Sequence, residues 1–156
     1  MSGHLVIFEG IEGSGKSTQA KRLFDRLYKD HFNLAMTKEP GSSDVGVCVR
    51  EMLLTPQQRL TSLSELFLFL VDRIQHIEEV LNPLLKEGKL VILDRFSLST
   101  IAYQGASEDL DILQVRELEG MVRSRLTDCN VTQLLLDLPV EQSLERISGR
   151  NKDQIE

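Results

Sequence analysis

A glycine-rich segment near the start of the chain constrains the fold more than any other feature. It reads Gly10-Ile11-Glu12-Gly13-Ser14-Gly15-Lys16-Ser17 and matches the pattern G-x-x-x-x-G-K-[ST]. An apolar run at residues 5–8 precedes it, and a helical pattern at residues 16–30 follows it. A glycine-rich turn between a strand and a helix points backbone N–H groups at a phosphate, where the helix dipole also favours negative charge. The segment therefore predicts an α/β domain with a phosphate-binding loop.

Two side chains of this loop have predicted tasks. Lys16 is expected to reach the β- and γ-phosphates of a nucleotide, and the Ser17 hydroxyl is expected to join the shell of a bound Mg²⁺. The residues expected to contact the nucleotide phosphates are Gly10, Ile11, Glu12, Gly13, Ser14, Gly15, Lys16, Ser17 and Thr18.

The rest of the chain alternates between strand and helix patterns. The apolar runs are mostly continuous, which is typical of strands buried on both faces of a parallel sheet, and they lie at residues 5–8, 33–37, 90–93 and 132–138. Helical patterns lie at 16–30, 44–54, 63–87, 97–104, 110–127 and 140–149. This alternation predicts a three-layer α/β fold with a central parallel β-sheet flanked by helices.

Length and charge narrow the classes of function. With 156 residues, the chain is expected to form one domain. Its net charge of −6 argues against a general binder of nucleic acid or anionic membranes, so an anionic ligand must be held by a local cluster of cations. The longest mostly apolar stretch, residues 66–71, is far shorter than the roughly 18 residues of a membrane span. We therefore expect a cytoplasmic protein that binds neither nucleic acid nor membrane.

An acidic and a basic residue follow the third apolar run. The carboxyl ends of parallel strands face the ligand crevice, so Asp94 is placed where it can hold Mg²⁺ directly or through water. Arg95 beside it has the planar guanidinium that suits a two-pronged contact with an acceptor phosphate. Taken alone, this dipeptide is equally typical of a surface ion pair.

The long helical pattern at residues 63–87 has two distinct sides. A core stripe recurs at helical spacing and comprises Leu70, Ile74, Ile77, Leu81 and Leu84. Phe69, Arg73 and His76 lie on a flank turned by roughly 100° from this stripe. Phe69 is therefore expected to face a cleft, with a core aromatic as the alternative. Pro83 is expected to interrupt the helix before Gly88 ends it.

Several segments together are similar to thymidylate kinases in order and spacing. They are FEGIEGSGKSTQ at residues 8–19, TKEPG at 37–41, DRIQHI at 72–77 and DRFSLSTIAYQG at 94–105. The last is the most specific, because other small kinases share the phosphate-binding loop but not this block. The resemblance covers essentially the whole chain, and it implies a P-loop NTPase fold and a homodimer formed through packed helices.

The resemblance implies a nucleoside monophosphate kinase that transfers the γ-phosphoryl of ATP to dTMP, a step of dTTP biosynthesis. ATP and Mg²⁺ would be its cofactors, with the metal held by Ser17 and Asp94. The implied catalytic residues are Lys16, Arg95, Asp94, Glu12 and Arg150. An acceptor phosphate is mostly ionised at neutral pH, so this reaction needs no strong general base.

The same resemblance implies a binding site for dTMP. Its residues would be Glu39, Pro40, Arg50, Phe69, Arg73, Arg95, Ser99, Thr100, Tyr103 and Gln104. Phe69 would stack on the thymine, and Arg73, one helical turn later, would hydrogen-bond the base edge. Thr100 would lie near the base, and Tyr103 and Gln104 near the sugar. The match at Arg50 is weaker, and a solvated helix charge stays open there.

The end of the chain resembles the beginning of the mobile lid of these kinases. The lid region would lie at about residues 146–156, where Arg150 and Arg146 are candidates for neutralising the transferred charge. The family continues with further helices and a last strand. We therefore expect residues 1–156 to be a single P-loop kinase domain in an incomplete chain that lacks the C-terminal part.

Two other functions stay open at this point. A deoxynucleoside kinase also combines a phosphate-binding loop with a base-stacking site, but it must activate a neutral hydroxyl with a carboxylate base. The segments at 37–41 and 99–105 argue against it. The second alternative is a nucleotide-binding module without turnover, which would release no ADP when dTMP is added to MgATP.

Overall fold

The computed structural model of the protein describes residues 2–55 and 59–148. In these ranges the strands are β1 (His4–Glu9), β2 (Leu34–Lys38), β3 (Leu90–Asp94) and β4 (Asn130–Leu135). They form one parallel sheet in the order β2-β3-β1-β4. The strand before the glycine-rich loop therefore lies inside the sheet, next to the strand that ends at Asp94.

Helices connect these strands on both faces of the sheet. They are α1 (Lys16–Lys29), α2 (Asp44–Leu54), α3 (Ser62–His76), α4 (Asn82–Lys86), α5 (Ser97–Tyr103), α6 (Ile112–Arg123) and α7 (Val140–Ser148). A short 3₁₀ turn, Gln104–Ala106, extends α5. None of the helices in the described ranges has the length and apolar character that a membrane crossing requires.

Alternate side chains of β1 pack into two different layers. Leu5 and Ile7 are fully buried in a core shared with α3 and α6. Val6 and Phe8 point to the opposite face and pack with Ala20 of α1. The predicted three-layer α/β fold, with a central parallel sheet between helices, is confirmed.

The prediction that every strand is buried on both faces is wrong for the two outer strands. The residues of β4 are half-buried or exposed, and Leu135 has 65% of its surface exposed. Those of β2 are also half-buried or exposed. An outer strand pairs on one side only, so an apolar run by itself does not reveal whether helices cover it. The fourth strand also begins earlier and ends earlier than the apolar run at 132–138.

The predicted helix at 63–87 is interrupted, as Pro83 suggested. A π-helical turn, Ile77–Leu81, separates α3 from α4. Pro83 lies in the first turn of α4, where its missing N–H removes one bond of the helical ladder. Gly88, with a φ of 74°, follows the end of α4.

Candidate active site

The phosphate-binding loop joins β1 to α1 and is held from outside by α7. Gly10 has a φ of 148°, and a Cβ there would come within 2.5 Å of the Leu136 carbonyl oxygen, so only glycine fits. The Ser143 hydroxyl donates to the Glu12 carbonyl at 2.6 Å, and Arg146 Nη1 donates to the Gly13 carbonyl at 3.0 Å. The loop conformation therefore depends on a helix more than 120 residues away in the sequence.

Lys16 is buried at the base of this loop. Its Nζ donates to the Ile11 carbonyl oxygen at 2.9 Å. Burial and the neighbouring positive charge of Arg95 lower the pKa of Lys16 to about 8. A small hollow in front of it is lined by Glu12, Gly13, Gly15, Lys16, Ser17, Thr18 and Arg95. A phosphate bound in this hollow would lie next to both the Lys16 side chain and the N-terminus of α1.

A tight turn follows β3. Asp94 is buried, and its Oδ1 has no hydrogen-bond partner within the described residues. Arg95 has a φ of 70°, an unusual conformation for a residue other than glycine. Its backbone N–H donates to the Phe8 carbonyl at 3.0 Å, and its guanidinium lies 5.7 Å from the centre of the Tyr103 ring. The turn thus presents a carboxylate and a guanidinium beside the phosphate-binding loop.

A cavity of about 660 Å³ opens between α3 and α5, and we call it the α3–α5 cavity. Its lining comprises Glu12, Glu39, Pro40, Arg50, Leu53, Leu54, Arg59, Leu60, Glu65, Phe69, Arg73, Arg95, Ser99, Thr100, Tyr103 and Gln104. All the residues predicted to form the dTMP site belong to this lining. The prediction that Phe69 faces a cleft is confirmed.

Arg73 is held by partners from the loop after β2 and from helices α5 and α6. Its Nε donates to Glu39 Oε2 at 2.7 Å, and its Nη1 donates to Thr100 Oγ1 at 3.0 Å and to Glu119 Oε1. The guanidinium also lies over the Phe96 ring, 5.1 Å from its centre. With only 1% of its surface exposed, Arg73 is a buried charge fixed in one orientation at the cavity wall.

The second oxygen of Glu39 is also occupied. His76 Nδ1 donates to Glu39 Oε1 at 2.8 Å, and Thr37 Oγ1 lies 2.8 Å from His76 Nε2. A neutral imidazole with its proton on Nδ1 satisfies both contacts, since Nε2 then accepts from the threonine hydroxyl. Burial alone would raise the pKa of Glu39, but the Arg73 charge and the His76 bond outweigh it and hold that pKa below its usual range.

Asp72 supports the loop that carries Glu39. Its Oδ1 accepts a hydrogen bond from the Gly41 N–H at 2.9 Å. Burial raises the pKa of Asp72 to about 6. Arg50 reaches the same loop from α2, because its Nη1 donates to the Pro40 carbonyl at 3.1 Å. Arg50 is half-buried and lines the α3–α5 cavity.

A second cavity of about 660 Å³ lies on the other side of Arg50. It shares Glu39, Arg50 and Arg95 with the α3–α5 cavity and extends to Ser17 and Asp94. This second cavity is therefore bordered by both predicted metal ligands. Arg150, a predicted catalytic residue, lies outside the described residues.

Sequence reasoning missed several buried polar residues around the site. Glu9 accepts hydrogen bonds from the first turn of α5, and Glu119 and His76 hold Arg73 and Glu39. Ser143 holds the phosphate-binding loop. Glu9 stood directly between the first apolar run and Gly10, and a carboxylate at the end of a buried strand was a usable signal. Helical spacing had placed His76 on the same flank as Phe69 and Arg73, but Glu119 and Ser143 gave no signal, because their partners are distant in sequence.

Comparisons with known proteins agree with this geometry. Residues 8–156 match the family model for thymidylate kinase. The thymidylate kinase of Halothermothrix orenii is 43% identical over 155 residues, which cover 98% of this chain and 73% of that protein. That of Desulfovibrio desulfuricans is 46% identical over 148 residues, covering 94% of this chain and 67% of that protein.

A solved structure supports the same relationship. The crystal structure of thymidylate kinase from Ehrlichia chaffeensis superposes with a TM-score of 0.78 at 34% identity, covering 93% of this chain and 82% of that one. The fold is therefore that of the P-loop NTPases. With sequence, fold and cavity lining in agreement, the chain belongs to the thymidylate kinase family.

Proposed function

We propose that this protein transfers the γ-phosphoryl group of ATP to dTMP and produces dTDP and ADP. The observation that carries the proposal is the α3–α5 cavity, because the residues expected to bind dTMP line it together. Glu12 and Arg95 line both this cavity and the hollow of the phosphate-binding loop. A nucleotide on the loop and a monophosphate in the cavity would thus meet at these residues.

The chemistry of the transfer requires cations more than a base. An oxygen of the acceptor phosphate forms a bond to the γ-phosphorus, while the bond from the γ-phosphorus to the β,γ-bridging oxygen breaks and its electron pair leaves with ADP. Both reactants are anions, so their repulsion is the main barrier to bringing them into line. Lys16, Arg95 and Arg50 line the cavities that meet at this junction, and we propose that they supply positive charge there.

Asp94 and Ser17 are proposed to hold Mg²⁺. The buried Oδ1 of Asp94, which lacks a hydrogen-bond partner within the described residues, fits this role. Mg²⁺ commonly takes one carboxylate together with substrate phosphate oxygens and water, which suits a site with few protein ligands. When bound, the ion would neutralise charge on the phosphate oxygens.

The cavity wall suits a thymine nucleotide. Phe69 is proposed to stack on the base and Arg73 to hydrogen-bond its edge. Glu39 and Glu119 neutralise Arg73 and fix its orientation, so the side chain need not be ordered when the ligand arrives. Tyr103 and Gln104 are proposed to border the sugar, and Gln104 is itself held by a 2.8 Å hydrogen bond to Glu65.

Glu39 is poorly suited to act as the base of a deoxynucleoside kinase. That reaction needs a carboxylate free to take a proton from the 5′-hydroxyl. Glu39 is the carboxylate on the loop bordering the cavity, but one of its oxygens accepts from Arg73 and the other from His76. A carboxylate engaged in this way, with a lowered pKa, is a poor general base.

We also propose that residues 1–156 form one kinase domain that assembles as a homodimer. Leu63, Phe67 and Val71 form an outward apolar stripe on α3, with 49%, 48% and 42% of their surfaces exposed. A row of large apolar side chains at i, i+4 spacing is the pattern of a helix that packs against another helix. The cytoplasm stays the predicted location.

Coupled release of ADP from MgATP tests the proposed reaction. ADP should appear when dTMP is added, and it should not appear with thymidine or without an acceptor. Turnover with thymidine but not dTMP would favour the nucleoside kinase. Tight binding of both nucleotides without ADP release would favour the binding module.

A further inference from the structure

Glu9 occupies an unusual place between the two halves of the active site. It is the last residue of β1 and directly precedes Gly10, the first residue of the phosphate-binding loop. Its side chain is buried, with 1% of its surface exposed. It is absent from the lining of the α3–α5 cavity, so its effect on a ligand there must act through other residues.

The Glu9 carboxylate accepts a set of hydrogen bonds from one short segment. Its Oε1 accepts from the backbone N–H groups of Phe96 and Leu98 at 3.0 Å each, and from that of Ser99 at 3.4 Å. Its Oε2 accepts from the Ser99 hydroxyl at 2.6 Å. These partners are 87 to 90 positions away in the sequence.

This arrangement replaces a local helix cap. The first N–H groups of an α-helix have no partner inside the helix and need an acceptor from elsewhere. Phe96, which precedes α5, offers no side-chain cap. Glu9 supplies this acceptor from β1. Its negative charge complements the positive end of the helix dipole.

The neighbouring residue of β1 holds the other end of the same turn. The Phe8 carbonyl accepts from the Arg95 N–H at 3.0 Å, so consecutive residues of β1 fix the turn that contains Arg95 in its left-handed conformation. The helix that follows carries Thr100 and Tyr103, which line the α3–α5 cavity. The contacts from β1 thus set the position of α5 relative to the phosphate-binding loop.

We propose that Glu9 is a positioning residue that holds α5 and the Arg95 turn at the correct distance from the phosphate-binding loop. The proposal rests on the function proposed above, because the acceptor carried by α5 is taken to be dTMP. Its consequence is specific. Loss of the Glu9 carboxylate should displace the acceptor side of the site and leave the donor side intact.

Two substitutions at Glu9 and one control test this role. Glu9→Ala removes both carboxylate oxygens that accept from this segment. Glu9→Gln keeps one carbonyl oxygen for the Phe96 and Leu98 N–H groups, and the Ser99 hydroxyl can accept from its amide. Asn82→Ala is the control, since Asn82 is also buried and bonds the segment at Arg125 and Thr127, far from the proposed site.

The first readout is hydrogen exchange of individual amides by NMR, which needs no substrate. In Glu9→Ala the amides of Phe96 and Leu98 should lose protection by about tenfold or more relative to wild type, while amides in the middle of α3 keep theirs. The Ser99 N–H also donates to the Phe96 carbonyl at 3.1 Å, so its protection should change less. Glu9→Gln should restore protection at Phe96 and Leu98. Asn82→Ala should leave both amides protected.

The second readout separates acceptor from donor. Glu9→Ala should raise KM for dTMP and lower kcat, each by about tenfold, with the affinity for ADP within about twofold of wild type. Glu9→Gln should bring the KM for dTMP back close to the wild-type value. A purely stabilising role would instead lower the melting temperature without this split, as expected for Asn82→Ala.

Unchanged protection of the Phe96 and Leu98 amides in Glu9→Ala, or an unchanged KM for dTMP, would overturn the proposal. If Glu9→Ala does not fold, Glu9→Asp replaces it, because its carboxylate is one methylene too short to reach all the donors and the same readings apply. Should the wild-type chain release no ADP with dTMP, the proposed function fails, and the exchange experiment still decides the role of Glu9.

Discussion

At the scale of single residues, the site consists of charged groups that hold one another in place. Arg73 is buried between Glu39 and Glu119, and Glu39 is shared with His76. Each carboxylate or guanidinium in this set is tolerated in the interior because its neighbours compensate its charge. Changing one member should therefore affect both stability and binding, and the two effects must be measured separately.

Lys16→Ala should lower kcat by about 100-fold or more while the affinity for dTMP changes little, because the ammonium group is proposed to act on the transferred phosphate. Steady-state kinetics with ATP and dTMP measure the rate, and calorimetry measures dTMP binding. Lys29→Ala, at the exposed end of α1, is the matched control. A normal rate in Lys16→Ala would contradict the role of this lysine.

Arg73→Met should destabilise the fold by about 3–5 kcal/mol, because it leaves two buried carboxylates without their partner. Urea unfolding measures this. Arg26→Met, which removes a surface pair to Asp30 at 3.5 Å, should cost less than about 1 kcal/mol. In the folded fraction, Arg73→Met should lower the affinity for dTMP more than the affinity for ATP. Equal losses of affinity for the two nucleotides would indicate a general folding defect.

Asp72 predicts a definite pH dependence. Its pKa is about 6 in the folded protein against an ordinary 3.8, so between about pH 4 and pH 6 the folded state keeps a proton that the unfolded chain releases. Its contribution to the free energy of unfolding therefore falls as pH rises through this window, by about 3 kcal/mol in total. Asp72→Asn has no titrating carboxyl at this position and therefore avoids this loss of stability at high pH. Its amide oxygen can still accept from the Gly41 N–H.

The measurement is urea unfolding of both proteins from pH 4 to pH 8. Asp72→Asn should be the more stable protein at pH 8, and its advantage should shrink towards pH 4. The comparison cancels the titration of the other carboxylates, which both proteins share. A constant difference across this range would show that Asp72 does not titrate as proposed.

At the scale of elements, α3 has separate sides with separate tasks. One side packs in the core through Leu66 and Leu70, and another carries Arg73 to the cavity wall. A third presents the apolar stripe of Leu63, Phe67 and Val71. The interruption by the π-helical turn comes directly after His76, so the residues proposed to bind the base lie in the regular part of the helix.

Phe67→Glu should convert the proposed homodimer to a monomer, because it places a charge in the middle of the apolar stripe. Sedimentation velocity at several concentrations measures the association. Phe32→Glu is the matched control, since Phe32 is 54% exposed and lies after α1, away from the stripe. A wild-type protein that sediments as a monomer at every concentration would rule out the dimer.

At the scale of the whole molecule, the fold brings the proposed donor and acceptor regions together at the carboxyl ends of neighbouring strands. β1 leads to the phosphate-binding loop, and β3 leads to Asp94 and Arg95. Phe8 and Asp94 are paired in register, which places the two segments side by side. This is the crevice expected in an open parallel sheet.

Ligand-induced stabilisation tests this combined site. At about 100 times its dissociation constant, dTMP should stabilise the protein by about 2.7 kcal/mol, which a thermal melt detects readily. Thymidine and AMP at the same concentration should have little effect, since one lacks the phosphate and the other the thymine. A larger shift with thymidine would favour the deoxynucleoside kinase.

Much of this site could be predicted because its signals are local. The glycine pattern of the loop, the continuous run of β3 and the helical spacing of Phe69 and Arg73 each depend on residues a few positions apart. Backbone sterics and hydrophobic periodicity act over that range. The same local patterns did not reveal which strands lie at the edges, because coverage of a strand depends on distant helices.

The sequence by itself determined the phosphate-binding loop and the alternation of strands and helices, and its resemblance to thymidylate kinases implied many of the side chains that line the α3–α5 cavity. Only the tertiary structure decided how those side chains are held. Glu9 accepts from the Phe96 N–H, Glu119 from Arg73, and the Gly13 carbonyl from Arg146. Hydrogen bonds to buried charges depend on distance and desolvation, and both arise only when segments far apart in the chain are packed together.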